Sequence, residues 1–392
     1  MESLDPTAVR RACSRFLTHH YPSSPREVLA DLAAWTDPQL ESDRYGSGSL
    51  IADFEAQIAA LLGKETALFL PSGTMAQPIA LRIWAERAQR RTVAFHPTCH
   101  LELHEEGAYR VLHGLHGVLV GNRTQLLTSA DLNSVREPLA ALLLELPQRE
   151  IGGQLPSWEE LEAQCAWARE HGAALHLDGA RLWECRPFYD RDYTTIAALF
   201  DSVYVSFYKT LGGIAGAALA GPADLIAEVR VWQRRQGGNL VRLFPYVLSA
   251  RKALAERLGR INAYVAHARA VAAALAALPE LTILPQPPHT NVFHLFLRGD
   301  RTALERALLE VAAETGTWLF HPLRPCQLPG HWMAEWVVGD ASLDIAPDAT
   351  VELLHMVLRR ATGLGAAEPP VRENGKAQGA ESQAPNDMRA SA

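Results

Sequence analysis

Short apolar runs alternate with helical patterns through the middle of the chain. One helical segment, over 49–63, places its apolar residues on one face and ends at Gly63. The apolar runs that separate such segments are ALFL, TVAF, VLVG, ALLLEL, AALHL, DSVYVSF and AGAALAG. This alternation predicts an α/β fold, in which helices flank a mostly parallel sheet that is buried on both faces.

The pattern changes near Leu281, where strand, helix and strand follow one another and predict a small α+β domain. The segment over 246–278 before it has the pattern of one long helix. We therefore divide the chain into an N-terminal arm with one helix near Pro25 to Trp35 (1–45), a large domain (46–250), a connecting long helix (251–280), a small C-terminal domain (281–362) and a disordered tail (363–392).

Composition and charge argue against several classes of protein. The 392 residues carry a net charge of −7, from 37 basic and 44 acidic side chains. This balance lacks the excess of basic residues that is typical of nucleic-acid-binding proteins. No apolar run is long enough to span a membrane, and the N-terminus lacks the pattern of a secretory signal. Five cysteines without a CxxC pair are typical of a cytoplasmic protein with reduced thiols, and we single out no metal ligands.

Small and charged residues follow three of the apolar runs directly. Ser-Gly-Thr at 72–74 follows ALFL, Asp178 and Arg181 follow ALHL, and Lys209 lies between an apolar run and a glycine turn. In α/β sheets, ligands bind beyond the carboxyl ends of the strands. A buried carboxylate without a partner is unfavourable, so Asp178 needs either an ion pair within the protein or a bound cationic group.

These residue types are the ones that a pyridoxal-phosphate site requires. The cofactor needs a lysine for covalent attachment, a carboxylate beside its pyridine nitrogen and a cradle for its phosphate. Backbone N–H groups and the Thr74 hydroxyl at a helix start suit a phosphate. Taken alone, however, Ser-Gly-Thr is more often an ordinary helix cap at Ser72 or Thr74.

The chain resembles the threonine aldolase branch of the β-eliminating lyases, which are pyridoxal-phosphate enzymes of the aspartate-aminotransferase-like fold, fold type I. The resemblance runs in family order from about Asp43 to Gly221, and HLDGARLW is its most specific part. The resemblance implies that fold, pyridoxal 5'-phosphate as cofactor, a small amino acid as substrate, and a homodimer or homotetramer with shared active sites. The other matching stretches are DRYGSGSLIADFE, GKETALFLPSGTMAQ, HPTCHLELHEEGA, ALLLELPQREIGGQLPSWEEL and SFYKTLGGIAGAALAG.

The resemblance also implies roles for individual residues. His100 matches a histidine that stacks on the cofactor ring near the reacting hydroxyl, although without the surrounding match a capped or core histidine is the preferred explanation. Arg181 matches an arginine that holds the substrate carboxylate. Arg242 matches an arginine that reaches a neighbouring subunit's phosphate, and Tyr45 is expected at the substrate side of that interface. The remaining implied roles are covalent attachment for Lys209, pyridine-nitrogen contact for Asp178 and phosphate binding for Ser72, Gly73 and Thr74.

Three stretches depart from the family pattern, and all concern the substrate. THHYPSS stands where the family has Arg-Ser-Asp, and ELPQ, from Glu145, stands where it has Glu-Asn-Thr-His. In the late strand AEWVVG, Trp336 takes the place of a second carboxylate-binding arginine, and Arg324 is the candidate to compensate. We expect Trp336 to pack on a larger or aromatic substrate side chain, the alternative being that it is a core residue of the small domain.

Three functions are compatible with this sequence. The first is a lyase that cleaves a β-hydroxy-α-amino acid to glycine and an aldehyde. The second keeps the cofactor but catalyses β-elimination, racemisation or transamination, because the carboxylate site departs from the family. The third is a cofactor-binding or scaffold protein without activity, against which the joint presence of Lys209, Asp178 and His100 argues.

Overall fold

The computed structural model describes residues 4–363, and most of the predicted tail lies outside that range. Thirteen strands are formed within these residues: β1 (Arg15–Phe16), β2 (Thr66–Leu70), β3 (Thr92–Phe95), β4 (His116–Leu119), β5 (Ala141–Glu145), β6 (Ala174–Gly179), β7 (Ser202–Ser206), β8 (Ala217–Gly221), β9 (Leu281–Leu284), β10 (Val292–Arg298), β11 (Thr317–Trp318), β12 (Arg324–Pro325) and β13 (His331–Val337).

Helices separate most of these strands. The α-helices are α1 (Pro6–Ala12), α2 (Pro25–Trp35), α3 (Ser49–Leu62), α4 (Gly73–Ala88), α5 (His100–Leu103), α6 (Ala108–Val111), α7 (Ser129–Leu132), α8 (Trp158–Glu170), α9 (Arg186–Tyr189), α10 (Tyr193–Ala197), α11 (Ala223–Arg235), α12 (Phe244–Arg257), α13 (Ile261–Leu275), α14 (Arg301–Thr315) and α15 (Pro347–Ala361). Four short 3₁₀ helices cover Arg149–Ile151, Leu182–Glu184, Leu258–Arg260 and Ala341–Asp344.

The large domain is built on a seven-stranded sheet with the order β2-β8-β7-β6-β5-β3-β4. Strands β7, β6, β5, β3 and β4 run parallel, and β8 is antiparallel to both of its neighbours, β7 and β2. All five residues of β7 and all five of β8 are buried. The predicted mostly parallel sheet, buried on both faces and flanked by helices, is therefore confirmed.

The small domain contains a four-stranded antiparallel sheet with the order β12-β13-β10-β9 and the helices α14 and α15. The N-terminal arm packs on this domain, because β1 pairs in parallel with β11. Farther along the arm, His20 lies within hydrogen-bond distance of two groups, 2.7 Å from the carbonyl of Thr210 and 3.0 Å from the backbone N–H of Asp340. The arm thus joins the small domain to the loop that follows β7.

The helix predicted near Pro25 to Trp35 is confirmed as α2, but the single long helix predicted over 246–278 is wrong. The chain forms α12, a 3₁₀ turn and α13 instead. Gly259 lies in that turn, and glycine weakens a helix interior because it loses the most backbone freedom on folding. Arg257, the last residue of α12, bonds to the carboxylate of Asp340.

Within residues 4–363, no helix combines the length and the apolar character needed to cross a membrane.

Candidate active site

Four of the predicted site residues line one cavity at the carboxyl ends of β5, β6 and β7. They are His100, Asp178, Arg181 and Lys209. The same cavity is also lined by Glu145, Leu146, Pro147, Arg149 and Ala180. The sequence therefore predicted the position of the cavity and four of its residues, but not Arg149.

Asp178 lies near the end of β6 and is 1% exposed. Its carboxylate accepts hydrogen bonds from Gln77 Nε2 at 3.0 Å and from the Ala180 backbone N–H at 3.2 Å. Within residues 4–363 it has no ion-pair partner, and burial raises its pKa. Such a carboxylate is stabilised by a cationic group placed in the cavity.

Glu145 pairs with Asp178 in the register of β5 and β6. Burial and the negative charge of Asp178 together raise the pKa of Glu145 to about 8. The Glu145 carboxylate accepts the backbone N–H groups of His100 at 3.3 Å and Arg149 at 3.2 Å. It therefore fixes the first residues of two short helices that border the cavity, α5 and the 3₁₀ turn at 149–151.

His100 is oriented by a buried acid. Its Nδ1 lies 3.0 Å from Oε1 of Glu105, which is 4% exposed, while 31% of the His100 side chain remains exposed. Burial raises the pKa of Glu105. Because Nδ1 faces this carboxylate, Nε2 is the ring nitrogen that is left to exchange a proton with a substrate. The arrangement is that of a histidine general base with an orienting carboxylate.

Lys209 follows β7 at the cavity wall. Burial lowers the pKa of its amine, and the nearby guanidinium groups of Arg181 and Arg149 lower it further. The Nζ atom lies 5.2 Å from the ring centre of Tyr208. A lysine with a lowered pKa has a larger neutral fraction, which is the form that reacts with a carbonyl group.

Arg181 does not pair with Asp178. Its Nη1 donates to Oε1 of Glu184 at 3.1 Å and to the Thr210 hydroxyl at 3.3 Å, and only 10% of its side chain is exposed. Glu184 is fully buried. Arg181 and Asp178 therefore have different partners. Arg181 pairs with the acid three residues later, whereas Asp178 accepts hydrogen bonds from uncharged donors.

Arg149 is a second guanidinium of the cavity. Its Nε lies 2.8 Å from Glu335 Oε2, its Nη2 lies 3.1 Å from Glu335 Oε1, and its Nη1 lies 3.0 Å from Glu150. Sequence reasoning missed Arg149 because it lies in a loop. A sequence feature that could have indicated Arg149 is its position four residues after Glu145, the acid that ends the ALLLE strand.

Of the two alternatives for Trp336, a substrate contact or a core residue of the small domain, the structure supports the second. Trp336 is 1% exposed and its ring packs 5.5 Å from that of Phe293 and 5.7 Å from that of Phe320, in the core of the small domain. Successive side chains of a strand point to opposite faces, so Glu335 faces the active site and Trp336 faces the core. Arg324 is exposed and does not line the cavity.

The predicted phosphate loop begins α4. Ser72 is its N-cap and accepts the Thr74 backbone N–H at 3.2 Å, as an ordinary cap does. A Cβ atom on Gly73 would lie 1.9 Å from the Tyr204 hydroxyl, so only glycine fits there. Gln77, one turn farther along α4, bonds to Asp178. The start of α4 is therefore close to the cavity, with N–H groups suited to an anion.

Tyr45 and Arg242 lie together but outside the residues that line this cavity. The Tyr45 backbone N–H donates to the Val241 carbonyl at 3.0 Å, and Arg242 Nη1 donates to the Asp43 carbonyl at 2.7 Å. Tyr45 is 50% exposed. Their predicted contacts, with a substrate and with a neighbouring subunit's phosphate, remain predictions.

The residues present fit pyridoxal phosphate. Two adjacent acids, Asp178 and Glu145, are stabilised by a pyridinium, and Lys209 has a lowered pKa suited to covalent attachment. His100 provides a ring at the cavity wall, and the start of α4, whose residues 72–74 are not among those that line the cavity, carries backbone N–H groups of the kind that suit a phosphate. The set contains each kind of group that the cofactor requires.

Comparison with known proteins agrees with this fit. The family model described as beta-eliminating lyase matches residues 32–299. The chain is similar to the solved structure of a candidate L-allo-threonine aldolase from Listeria monocytogenes EGD-E, with a TM-score of 0.85, 43% identity, and coverage of 91% of this chain and 98% of the other.

A second solved structure, of a candidate aromatic amino acid beta-eliminating lyase/threonine aldolase from Exiguobacterium sp. 255-15, has a TM-score of 0.86 and 40% identity. It covers 90% of this chain and 99% of the other. Aldolase vrtJ of Penicillium aethiopicum is 28% identical over 339 residues, which are 84% of this chain and 83% of the relative. The chain therefore belongs to the beta-eliminating lyase family and is a pyridoxal-phosphate-dependent lyase of fold type I.

Proposed function

We propose that the protein cleaves a β-hydroxy-α-amino acid to glycine and an aldehyde. The observation that carries this proposal is that His100, whose Nδ1 contacts Glu105, lines the same cavity as Lys209 and Asp178. A retro-aldol cleavage requires a base for the β-hydroxyl proton, and a simple amino-group exchange does not. His100 is the base that the cavity offers at Nε2.

Lys209, Asp178 and the start of α4 would hold the cofactor, at its carbonyl, its pyridine nitrogen and its phosphate. When bound, pyridoxal phosphate supplies an electron sink for the carbon–carbon bond that breaks. Asp178 keeps the pyridine nitrogen protonated. This role is consistent with its burial and with the absence of an ion-pair partner within residues 4–363.

His100 accepts the β-hydroxyl proton at Nε2 while Glu105 stabilises the resulting imidazolium. Proton transfer by a positioned side chain typically contributes about 10²–10⁴-fold to the rate. Glu145 contributes indirectly, because it fixes the backbone of His100 and therefore the position of the ring. The proton-transfer machinery is thus built on the ends of β5 and β6 and on α5.

Arg181 and Arg149 bind the substrate carboxylate, in place of the predicted pair of Arg181 and Arg324. Both guanidinium groups line the cavity, and an acid orients each one, Glu184 for Arg181 and Glu335 for Arg149. A guanidinium binds a carboxylate through charge-assisted hydrogen bonds, often two in parallel. With the carboxylate held between the two arginines and the hydroxyl at His100, three points fix the substrate.

The test is a product assay with the cofactor-loaded protein. We expect L-threonine, L-allo-threonine or β-phenylserine to give glycine and the matching aldehyde in equal amounts. The competing candidate is racemisation, β-elimination or transamination, which the rearranged carboxylate site favours. Chiral analysis and pyruvate detection with L-alanine and L-serine separate the two candidates. Exchange of stereochemistry or formation of pyruvate, without aldehyde from any β-hydroxy substrate, would replace the first proposal by the second.

We further propose a homodimer or homotetramer that works in the cytoplasm. Two observations support these proposals: Tyr45 and Arg242 lie on one surface outside their own cavity, and all five cysteines are free. Free cysteines are typical of a reducing compartment. Sedimentation velocity of the cofactor-loaded protein tests the oligomeric state, and a monomer at micromolar concentration would contradict it.

A further inference from the structure

A second cavity of about 670 Å³ lies between the large domain and the small sheet. We call it the interdomain cleft. Its apolar lining comes from both domains, from Leu103 and Ile151 on one side and from Leu284, Phe296, Leu328 and Met333 on the other. Its volume falls within the range of about 300–1,000 Å³ that is usual for small-molecule sites.

Two short helices border both the active-site cavity and the interdomain cleft. Helix α5 contributes His100 to the active-site cavity and Leu103 to the cleft. The 3₁₀ turn at 149–151 contributes Arg149 to the active-site cavity, and Glu150 and Ile151 to the cleft. The two cavities are therefore separated by no more than the width of these two helices.

The small sheet connects the cavities in a third way. In its register, Glu335 lies opposite His294, and His294 lies opposite Leu284. The next row on the same face contains Met333, Phe296 and Thr282. Glu335 bonds to Arg149 of the active site, while the other five residues line the cleft. One sheet face thus runs from the active site into the cleft.

We propose that the interdomain cleft receives the side chain on the β-carbon of the substrate, and that the substrate is a β-hydroxy-α-amino acid with a large apolar side chain, aromatic or long alkyl. This proposal rests on the proposed function. With the carboxylate at Arg149 and Arg181 and the hydroxyl at His100, the remaining β-substituent extends along α5 and the 149–151 turn. Both elements lead into the cleft, whose apolar lining the methyl group of threonine would barely use.

The first measurement compares kcat/KM for L-threonine and β-phenylserine with the cofactor-loaded protein. One methylene in an apolar pocket changes specificity by roughly 10–200-fold, so we expect phenylserine to be preferred by about 100-fold or more. Equal efficiency on both substrates would overturn the cleft proposal and leave the proposed function intact. If neither these two substrates nor L-allo-threonine is cleaved, the proposed function itself is overturned.

The second measurement fills the cleft. Met333→Trp should lower kcat/KM for phenylserine at least about tenfold and change that for threonine less than about threefold. Leu328→Trp, at a position that is 46% exposed and tolerates a larger side chain, should act in the same direction if Met333→Trp fails to fold. Val231→Trp, on the exposed surface of α11, is the matched control and should change neither value. Equal losses on both substrates, or no loss, would contradict the proposal.

A binding measurement gives a readout that does not depend on turnover. L-Phenylalanine has the ring of phenylserine but no hydroxyl to be cleaved. In calorimetric titrations it should bind the cofactor-loaded protein at least about tenfold more tightly than L-alanine, and Met333→Trp should remove that difference. If a second copy of this chain fills the cleft instead, Met333→Trp will change the sedimentation coefficient and leave the binding ratio unaltered, which would overturn the proposal.

Discussion

Arg149 and Glu335 form a two-point ion pair that joins the large domain to the small domain at the active-site cavity. The two contacts are 2.8 and 3.1 Å long. Burial alone would raise the pKa of Glu335, but the positive charges of Arg149, Arg181 and Arg324 together lower it, with Arg149 contributing most among them. Late strand β13 thus offers an acid to the site, and the 149–151 turn of the large domain supplies the arginine.

The first prediction follows from this pair. Arg149→Ala should lower kcat/KM for the β-hydroxy substrate by about 10- to 150-fold, because a hydrogen bond to a charged group is worth roughly 1.5–3 kcal/mol. Glu335→Gln should have a smaller effect, seen mainly in KM, because it loosens Arg149 without removing it. Arg306→Ala is the matched control, since Arg306 is exposed on α14 and faces Glu310, and it should change kcat/KM less than twofold. Unchanged kinetics in Arg149→Ala would remove this arginine from the substrate site.

The second prediction concerns covalent attachment. Lys209→Ala should abolish turnover and the visible absorption of lysine-bound cofactor. Borohydride reduction of the unmodified protein should attach the cofactor to the peptide that contains Lys209. Lys64 is the control, since burial also lowers the pKa of its amine but it lies elsewhere, bonded to the Phe200 carbonyl. Labelling of Lys64, or a visible band that persists in Lys209→Ala, would contradict the assignment.

The third prediction concerns proton transfer by His100. His100→Asn should lower kcat by about 10²–10⁴-fold, the usual contribution of a general base. Glu105→Gln should lower it less, because the imidazole remains but the imidazolium loses its buried counter-charge. His104→Asn is a close control, since the two imidazole centres are 5.1 Å apart and His104 pairs with Glu150 instead. Similar losses in both histidine variants would argue against a specific base.

The fourth prediction uses the paired acids at the ends of β5 and β6. Burial and the negative charge of Asp178 raise the pKa of Glu145 to about 8 in the folded protein, from the ordinary value of about 4.5 that we expect in the unfolded chain. The folded state binds more protons in this window, so its stability falls as the pH rises from about 4.5 to 8. The melting temperature of the cofactor-free protein should drop by a few degrees over this range.

Glu145→Gln is the control for this titration and should flatten the dependence of melting temperature on pH. Bound cofactor should flatten it as well, since a cationic ring beside Asp178 offsets the repulsion between the two carboxylates. A cofactor-free protein that melts at the same temperature at pH 5 and pH 8 would show that Glu145 is ionised throughout.

The strand-end residues were predictable because a buried parallel strand leaves few places for a charge. An acid that follows ALHL and a lysine that follows VYVSF must both lie at the carboxyl edge of the sheet, and that is where Asp178 and Lys209 are found. Glu145 ends its strand in the same way, but its effect on its two neighbours depends on backbone geometry that no local pattern encodes.

The predicted substrate contact of Trp336 was wrong by one residue along the strand. A shift of one position along a strand moves a side chain from one face of the sheet to the other. Trp336 and Glu335 are adjacent in AEWVVG, and the sequence does not show which of them faces the large domain. The neighbouring residues determine the orientation of the two side chains: Trp336 packs against Phe293 and Phe320, and Glu335 pairs with Arg149.

The N-terminal arm has a consequence for the order in which the molecule is completed. Arg15 contacts the carbonyl of Thr315, which lies 300 residues later in the chain, and His20 lies at hydrogen-bond distance from the loop after Lys209. Contacts of such long sequence separation form late, since a large loop must close first. On the ribosome, β1 emerges long before β11 and remains without its partner strand until β11 has been translated.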